Sequence, residues 1–364
     1  DAFSEETGIE ITYSGDRGFS DLINAQAEGG NPPDIAIFPQ PGKVADFARA
    51  GYILPLPADV VAEVETYWGA FTSFATVDGT LYAVPNKADL KSLVWYQPDA
   101  FAAGGYEIPE SWDELKALTG QMIADGNTPW CVGIESGPAT GWTFTDWVED
   151  LTLRFEGADY YDSWVAGETP FADPGMQAIW TEILDLWNTP GAVFASGGTI
   201  AATPFGANGE PLVAGDCLMH RQASFYAAFL PEGTPLVSGE GAVDVFYFPA
   251  VGDEKPVLGA GTEAAAFRDA PEVWAVMKHL ATPEFANTRQ AIQRELKGGG
   301  ASGFLSAAQG VDLSLWDPFE QNLITILLGA DVFRFDGPDL MPADRKSTRL
   351  NSSHVRTSRT PSSA

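Results

Sequence analysis

Residues 129–150 read PWCVGIESGPATGWTFTDWVED, and the class of fold turns on this stretch. Its apolar run Cys131–Ile134 has the length and composition of a buried strand. The run stops in a loop of Glu, Ser, Gly and Pro, and a helix is expected from about Thr143 with aromatic residues along one side. A strand that ends in a polar loop ahead of a helix is how α/β proteins build a rim that faces a ligand. The same stretch holds three tryptophans (Trp130, Trp142, Trp147), one of the chain's two cysteines and four carboxylates (Glu135, Asp146, Glu149, Asp150). We read it as one wall of a binding cleft.

Upstream, IEITYSG (9–15) alternates apolar and polar residues like a strand. A helix over 20–27 and a short buried strand over 34–39 follow, and this β-loop-α-β order predicts a parallel pair and an α/β class. The helix over 44–51 stops at Gly51, and Asp78–Gly79 has the residues of a tight hairpin turn. A strand is expected over 92–97. The texture changes at Gln97, where a Gly/Pro-punctuated joint leads to Ser111-Trp-Asp-Glu114, a capping box that satisfies free N–H groups at a helix start. We place the first domain boundary near 98–110, because 364 residues suit two domains.

Downstream, Ile179, Ile183, Leu186 and Trp187 recur at helical spacing and are read as core. Residues 216–230 read as a strand running into a helix, and 243–251 as a strand crossing back toward the first lobe. A helix starts at Pro271, and a last one spans 318–330.

The formal charge of −30 excludes nucleic acid and anionic membrane surfaces as partners. No run approaches the roughly 18 apolar residues of a membrane span. The two cysteines lie 86 positions apart and only three histidines exist, so no metal site is expected. Cys131 and Cys217 are either two buried small hydrophobes or one disulfide. There is no G-x-S-x-G, no Cys/His pair and no cofactor motif. In KGGGASG the lysine precedes the glycines, so it is no Walker loop and reads as a flexible turn.

Both ends of the chain stand apart. The start resembles the tail of an amphipathic helix and lacks an initiator Met, so an upstream piece is expected. From Arg345 the tail RKSTRLNSSHVRTSRTPSSA has five basic residues and no acidic one, whereas all fifty acidic residues lie before it. Residues 345–364 are read either as a disordered basic arm or as non-native sequence resembling translated sequencing-adapter read-through.

Several strings in order carry a family resemblance: GIEITYSG, NPPDIAIFPQPG, AGYILPLP, LYAVPNKADLKSLVWYQPDAF, IPESWDELKAL, PWCVGIESGPATGW, GDCLMHRQASF and FRFDGPDLMP. Their order and spacing resemble the extracellular solute-binding proteins of carbohydrate ABC importers, of the maltose-binding-protein-like, α-glucoside-binding type. That resemblance implies an α/β, two-lobed, type II periplasmic-binding-protein-like fold with discontinuous lobes and a hinge. The lobes would be 1–105 with 252–295, and 106–251 with 296–344. It also implies a small saccharide ligand, ABC importer membrane subunits as partners, a monomer, no cofactor and no catalysis. An extracytoplasmic location, a lipoprotein-type signal ahead of Asp1, a missing first strand and further helices after Asp344 are implied as well. An oxidising location in turn implies a Cys131–Cys217 disulfide.

A saccharide offers C–H faces to aromatic rings and hydroxyl pairs to carboxylates, amides and Arg. From the first lobe the candidates are Arg17, Gln40 and Lys91, and at least one of Trp95 and Tyr96 is expected to reach the cleft. From the second lobe they are Glu135, with Trp142 and Asp146 one turn apart on a helix; Trp147 is expected in the core. The resemblance adds Phe225 as a cleft aromatic and Gly261 and Thr262 on a Gly-rich return segment, with Trp316 as a further platform. Clustered carboxylates would also suit a glycoside hydrolase, and an adhesion module would show no small-molecule response.

Overall fold

The computed structural model describes residues 2–16, 18–296 and 301–341. In chain order the strands are β1 (Ile35–Phe38), β2 (Thr76–Val77), β3 (Thr80–Leu81), β4 (Ala83–Leu90), β5 (Leu93–Tyr96), β6 (Trp130–Cys131), β7 (Val193–Phe194), β8 (Met219–Arg221), β9 (Asp244–Tyr247), β10 (Pro256–Ala266) and β11 (Val332–Phe335). β10, PVLGAGTEAAA, is the spine of the first sheet. Its small residues let neighbours approach on both edges: β4 pairs antiparallel along one, and β1 and β11 share the other. At Gly261 an added Cβ would lie 2.5 Å from the Lys87 carbonyl, so this position tolerates no side chain. The second sheet runs β7-β6-β8-β5-β9, with β6 parallel to both neighbours and β5 antiparallel to both of its own.

Local chemistry sets the element ends. Asp78 (φ 50°) and Gly79 (φ 84°) form the two-residue turn joining β2 to β3. Ser111 and Glu114 cap the helix Trp112–Ala124 reciprocally, and Asp317 and Glu320 do the same for Pro318–Leu328. The helix Pro174–Asn188 buries Met176, Ile179, Ile183, Leu186 and Trp187, each worth about 1.5–3 kcal/mol when fully removed from water. One core packs around Phe38, Phe47, Trp68 and Met277 on the first sheet, and another around Trp112, Trp130, Trp147 and Phe248 on the second. A third, around Trp95, Tyr226 and Phe319, lies where the two meet and contains the Cys131–Cys217 disulfide, with Cα atoms 5.4 Å apart.

Three expectations are corrected. Residues 9–15 form no strand, and Ile11 and Tyr13 are 48% and 83% exposed. Alternation alone makes no ladder without a paired neighbour, and β1 pairs only with β10. The first passage between sheets falls at Lys91–Ser92 instead of 98–110, because β5 already belongs to the second sheet. β11, placed in the second lobe on sequence, pairs with β10 in the first sheet. The expected crossing after 243–251 is present, as β9 in the second sheet leads to β10 in the first. The turn expected at 297–300 and the tail 345–364 lie outside the described residues.

Candidate functional site

The chain passes between the sheets at Lys91–Ser92 and between Tyr247 and Pro256. Both passages, and the segment that follows Phe335, are fastened to one helix, Trp142–Phe155, through a face that buries Asp146, Glu149, Asp150 and Arg154. Ser92 Oγ donates to Asp150 Oδ1 (2.6 Å) and accepts from Leu258 N (2.8 Å). Arg154 donates to Asp150 Oδ1 (2.5 Å) and to the carbonyls of Phe248 (2.7 Å) and Pro249 (2.8 Å). Arg221 of β8 pairs with Asp150 (2.5 Å) and Asp146 (3.3 Å). The Lys91 ammonium sits between Asp146 (2.9 Å) and Asp336. Glu149 Oε2 accepts from Gly337 N (2.9 Å) and lies 3.1 Å from the Tyr161 hydroxyl.

Three cations thus meet four carboxylates. Burial, with Asp336 and Asp146 nearby, pushes Glu149 well above the usual carboxylate range. Oxygens of Asp146, Glu149 and Asp336 lie within 4.8 Å of one another, a spacing that would suit a metal ion. Here the cation among them is the Lys91 ammonium.

The first turn of the same helix carries Trp142, whose ring lies 5.5 Å from the Lys91 ammonium. Trp142 is half-buried, and its ring lies 4.9 Å from Phe205 and 6.1 Å from Phe225, centroid to centroid. Phe225 belongs to the 3-10 helix Ser224–Phe229, which is held against β4 by Leu90 N donating to Ser224 Oγ (3.1 Å). Gly303 (φ 72°) passes so close that a Cβ would lie 1.8 Å from the Ser224 carbonyl oxygen. This approach brings Phe304 beside β4. The Lys87 ammonium lies 5.9 Å from the Phe225 ring and 4.5 Å from the Phe304 ring.

Polar groups of the first sheet flank this aromatic row. Lys87 pairs with Asp89 (2.6 Å), while Asp89 Oδ1 has no hydrogen-bond partner among the described residues. Thr262 donates to Asn86 Oδ1 (2.6 Å), and Arg289, stacked 5.1 Å from Phe304, donates to Asn86 O (3.3 Å). Burial lowers the Lys87 pKa, Asp89 opposes this, and Arg289 and Lys91 reinforce it. The row therefore offers ring faces from one sheet's loops and donors and acceptors from the other sheet. Two surface cavities, of ≈ 590 Å³ beside Leu230–Leu236 and ≈ 760 Å³ beside Phe194–Asp216, are lined by none of Trp142, Phe225, Lys87 or Arg289.

The sequence candidates divide accordingly. Trp142, Phe225 and Thr262 meet at the row. Glu135 is half-buried nearby in sequence but spends Oε1 on Gly137 N (2.7 Å). Gln40 is half-buried at the end of β1, ahead of the helix Pro41–Arg49. Arg17 lies outside the described residues.

Six candidates are corrected. Asp146 and Lys91 are buried and committed to each other. Trp95 and Tyr96 lie on β5, a strand covered on both faces: Trp95 Nε1 donates to Gln222 O (3.0 Å) and Tyr96 packs on Phe101 and Phe246. Trp316 is buried, its Nε1 donating to Asn287 Oδ1 (3.3 Å). Gly261 is a buried ladder residue opposite Ala88. Sequence reading missed Lys87, Asp89, Asn86, Arg289, Phe205 and Phe304. Lys87 and Asp89 stand in a strand and on one side of it, and that alternation was their available signal.

Comparison with known proteins converges on one family. The profile of the family described as bacterial extracellular solute-binding protein matches residues 1–287. The osmoprotective compounds-binding protein GgtB of Synechocystis sp. is 40% identical over 351 residues, covering 93% of this chain and 79% of its own. The alpha-glucosides-binding periplasmic protein AglE of Rhizobium meliloti is 41% identical over 357 residues, covering 93% and 75%. In three dimensions the bacterial solute receptor AcbH superposes with a TM-score of 0.81 at 19% identity, over 96% of this chain and 86% of its own. Two sheets with the chain passing twice between them make the two-lobed fold of these receptors. The chain belongs to the bacterial extracellular solute-binding protein family.

Proposed function

We propose that the protein captures a small saccharide, an α-glucoside being the class named for its relative AglE, and presents it to the membrane subunits of an ABC importer. The observation that carries this reading is the row Phe205–Trp142–Phe225–Phe304 flanked by Asn86, Lys87, Asp89 and Thr262. Aromatic faces take the C–H faces of a sugar, and the amide, carboxylate, ammonium and hydroxyl take its edges. Gln40 and Glu135 remain in the proposed set as rim groups, and Arg17 remains in it as a candidate on its residue type. Lobes divided at the two passages would close over the ligand as hinged bodies, and the receptor would act as a monomer, lipid-anchored at the outer face of the membrane. No helix among the described residues is long and apolar enough to cross a membrane.

Catalysis is not part of the proposal. The carboxylates clustered on Trp142–Phe155 are engaged by Lys91, Arg154, Arg221, Ser92 and Gly337 on the hinge side of that helix. Titration of tryptophan fluorescence with maltose, trehalose and sucrose, with product analysis of the same samples, tests the reading. A saturable change without cleavage is expected. Cleaved sugar would establish a hydrolase, and no response to any saccharide would remove the sugar.

A further inference from the structure

Charge is unevenly distributed at the aromatic row. The chain as a whole is strongly acidic, with a formal charge of −30, yet the row's polar side holds two cations, Lys87 and Arg289, and one carboxylate, Asp89. That carboxylate is already paired with Lys87 at 2.6 Å, and the two side chains are 12% and 5% exposed. Arg289 makes no ion pair within 4 Å among the described residues, and Asp89, already paired with Lys87, is the carboxylate that acts on it. Of the five N–H donors of Arg289, one is seen to reach an acceptor, the Asn86 carbonyl at 3.3 Å. Its plane lies over Phe304, whose ring it shares with Lys87.

Two cations thus share the one carboxylate Asp89. A planar carboxylate matches a guanidinium fork in two parallel hydrogen bonds. We propose that the ligand is a saccharide bearing a carboxylate, with Arg289 as its principal partner and Lys87 as the second cation. This inference rests on the saccharide reading above and narrows it.

The surroundings fit such a ligand in detail. Asp89 Oδ1, buried and unpartnered, is positioned to accept from a sugar hydroxyl. Phe225 and Trp142 supply the platform for the ring. Burial lowers the pKa of both Lys87 and Arg289 and Asp89 opposes this at each, so an incoming anion adds to the counter-charge that Asp89 supplies. The alternative role for Arg289 is packing alone, as a cation over Phe304.

Calorimetric titration of the full chain with matched pairs separates these. Maltose against maltobionate, and trehalose against its monouronic acid, each compare a neutral sugar with its acid. The acid of at least one pair should bind about tenfold more tightly than its neutral parent, in line with a charge-assisted hydrogen bond, and that preference should shrink with added salt. Arg289→Gln should weaken the acid about tenfold more than the parent, and Arg289→Lys should restore part of the difference. Equal affinities within both pairs, or an Arg289→Gln loss shared equally by acid and parent, would overturn the inference and leave the saccharide reading standing. Binding of neither member of either pair would overturn both.

Discussion

Trp142 sits on the first turn of its helix, where its ring lies beside Phe205 and Phe225 and 5.5 Å from the Lys91 ammonium. Removing its ring takes away a face contact and the contact with Lys91, and leaves that ammonium's ion pairs with Asp146 and Asp336 in place. Trp142→Ala is expected to weaken saccharide binding by roughly 1–3 kcal/mol with little change in stability, read by calorimetry and thermal unfolding on the same sample. Glu263 poses a different residue-scale question. It is 3% exposed, one oxygen has no partner, and burial alone pushes its carboxyl up to about 8. A carboxyl raised in the fold favours the folded state most below its unfolded value and loses that contribution as pH rises through the folded one. Stability should therefore fall between about pH 4.5 and 8, by at most about 1.4 kcal/mol per pH unit from this group. Glu263→Gln should flatten that slope and make the variant the more stable protein at pH 9. Parallel slopes for the two proteins in denaturant titrations would refute this. Neither behaviour is visible in sequence: Trp142 announced itself as an aromatic at a helix start, whereas nothing in GTEAAA marks its glutamate as unpaired.

At the scale of the element, the helix Trp142–Phe155 does two jobs on two faces. Sequence placed Trp142 and Asp146 on one side by their four-residue spacing and took both for ligand groups. The helix is there, but its partners decide each side chain's role. Asp146 is claimed by Lys91 and Arg221, 55 positions before it and 75 after it. Pairings at such separations are invisible to local periodicity, so the carboxylates read as ligand acceptors when they are hinge ties. Asp150 is the most engaged of them, holding Ser92, Arg154 and Arg221. Asp150→Ala strands two buried guanidinium groups and should cost about 3–5 kcal/mol in unfolding free energy, measured by denaturant titration. A loss below 1 kcal/mol would mean the network is not a structural tie. β5 makes the related point for strands: SLVWYQ was legible as a strand, but alternation could not show that both its faces are covered, and so Trp95 and Tyr96 belong to cores.

For the whole molecule, the strings that resembled a solute-binding family were sufficient for two lobes and a hinge, because punctuation by capping boxes, proline starts and hairpin turns is local. The exact passages were less legible: the first lies between two strands only two residues apart, and no loop composition marks it. The disulfide joins β6 to the approach of β8 across the core between the sheets. Replacing both Cys131 and Cys217 by Ser should lower stability by about 2–5 kcal/mol, and an unchanged unfolding midpoint would show that packing alone holds that core. The central claim concerns where a sugar sits. A crystal structure of the protein with a bound α-glucoside tests it most directly. The account predicts density over the Trp142 and Phe225 rings, with hydroxyls at Asp89 and Asn86 and the hinge ties of Trp142–Phe155 intact. A sugar seated in either surface cavity, away from these rings, would contradict it.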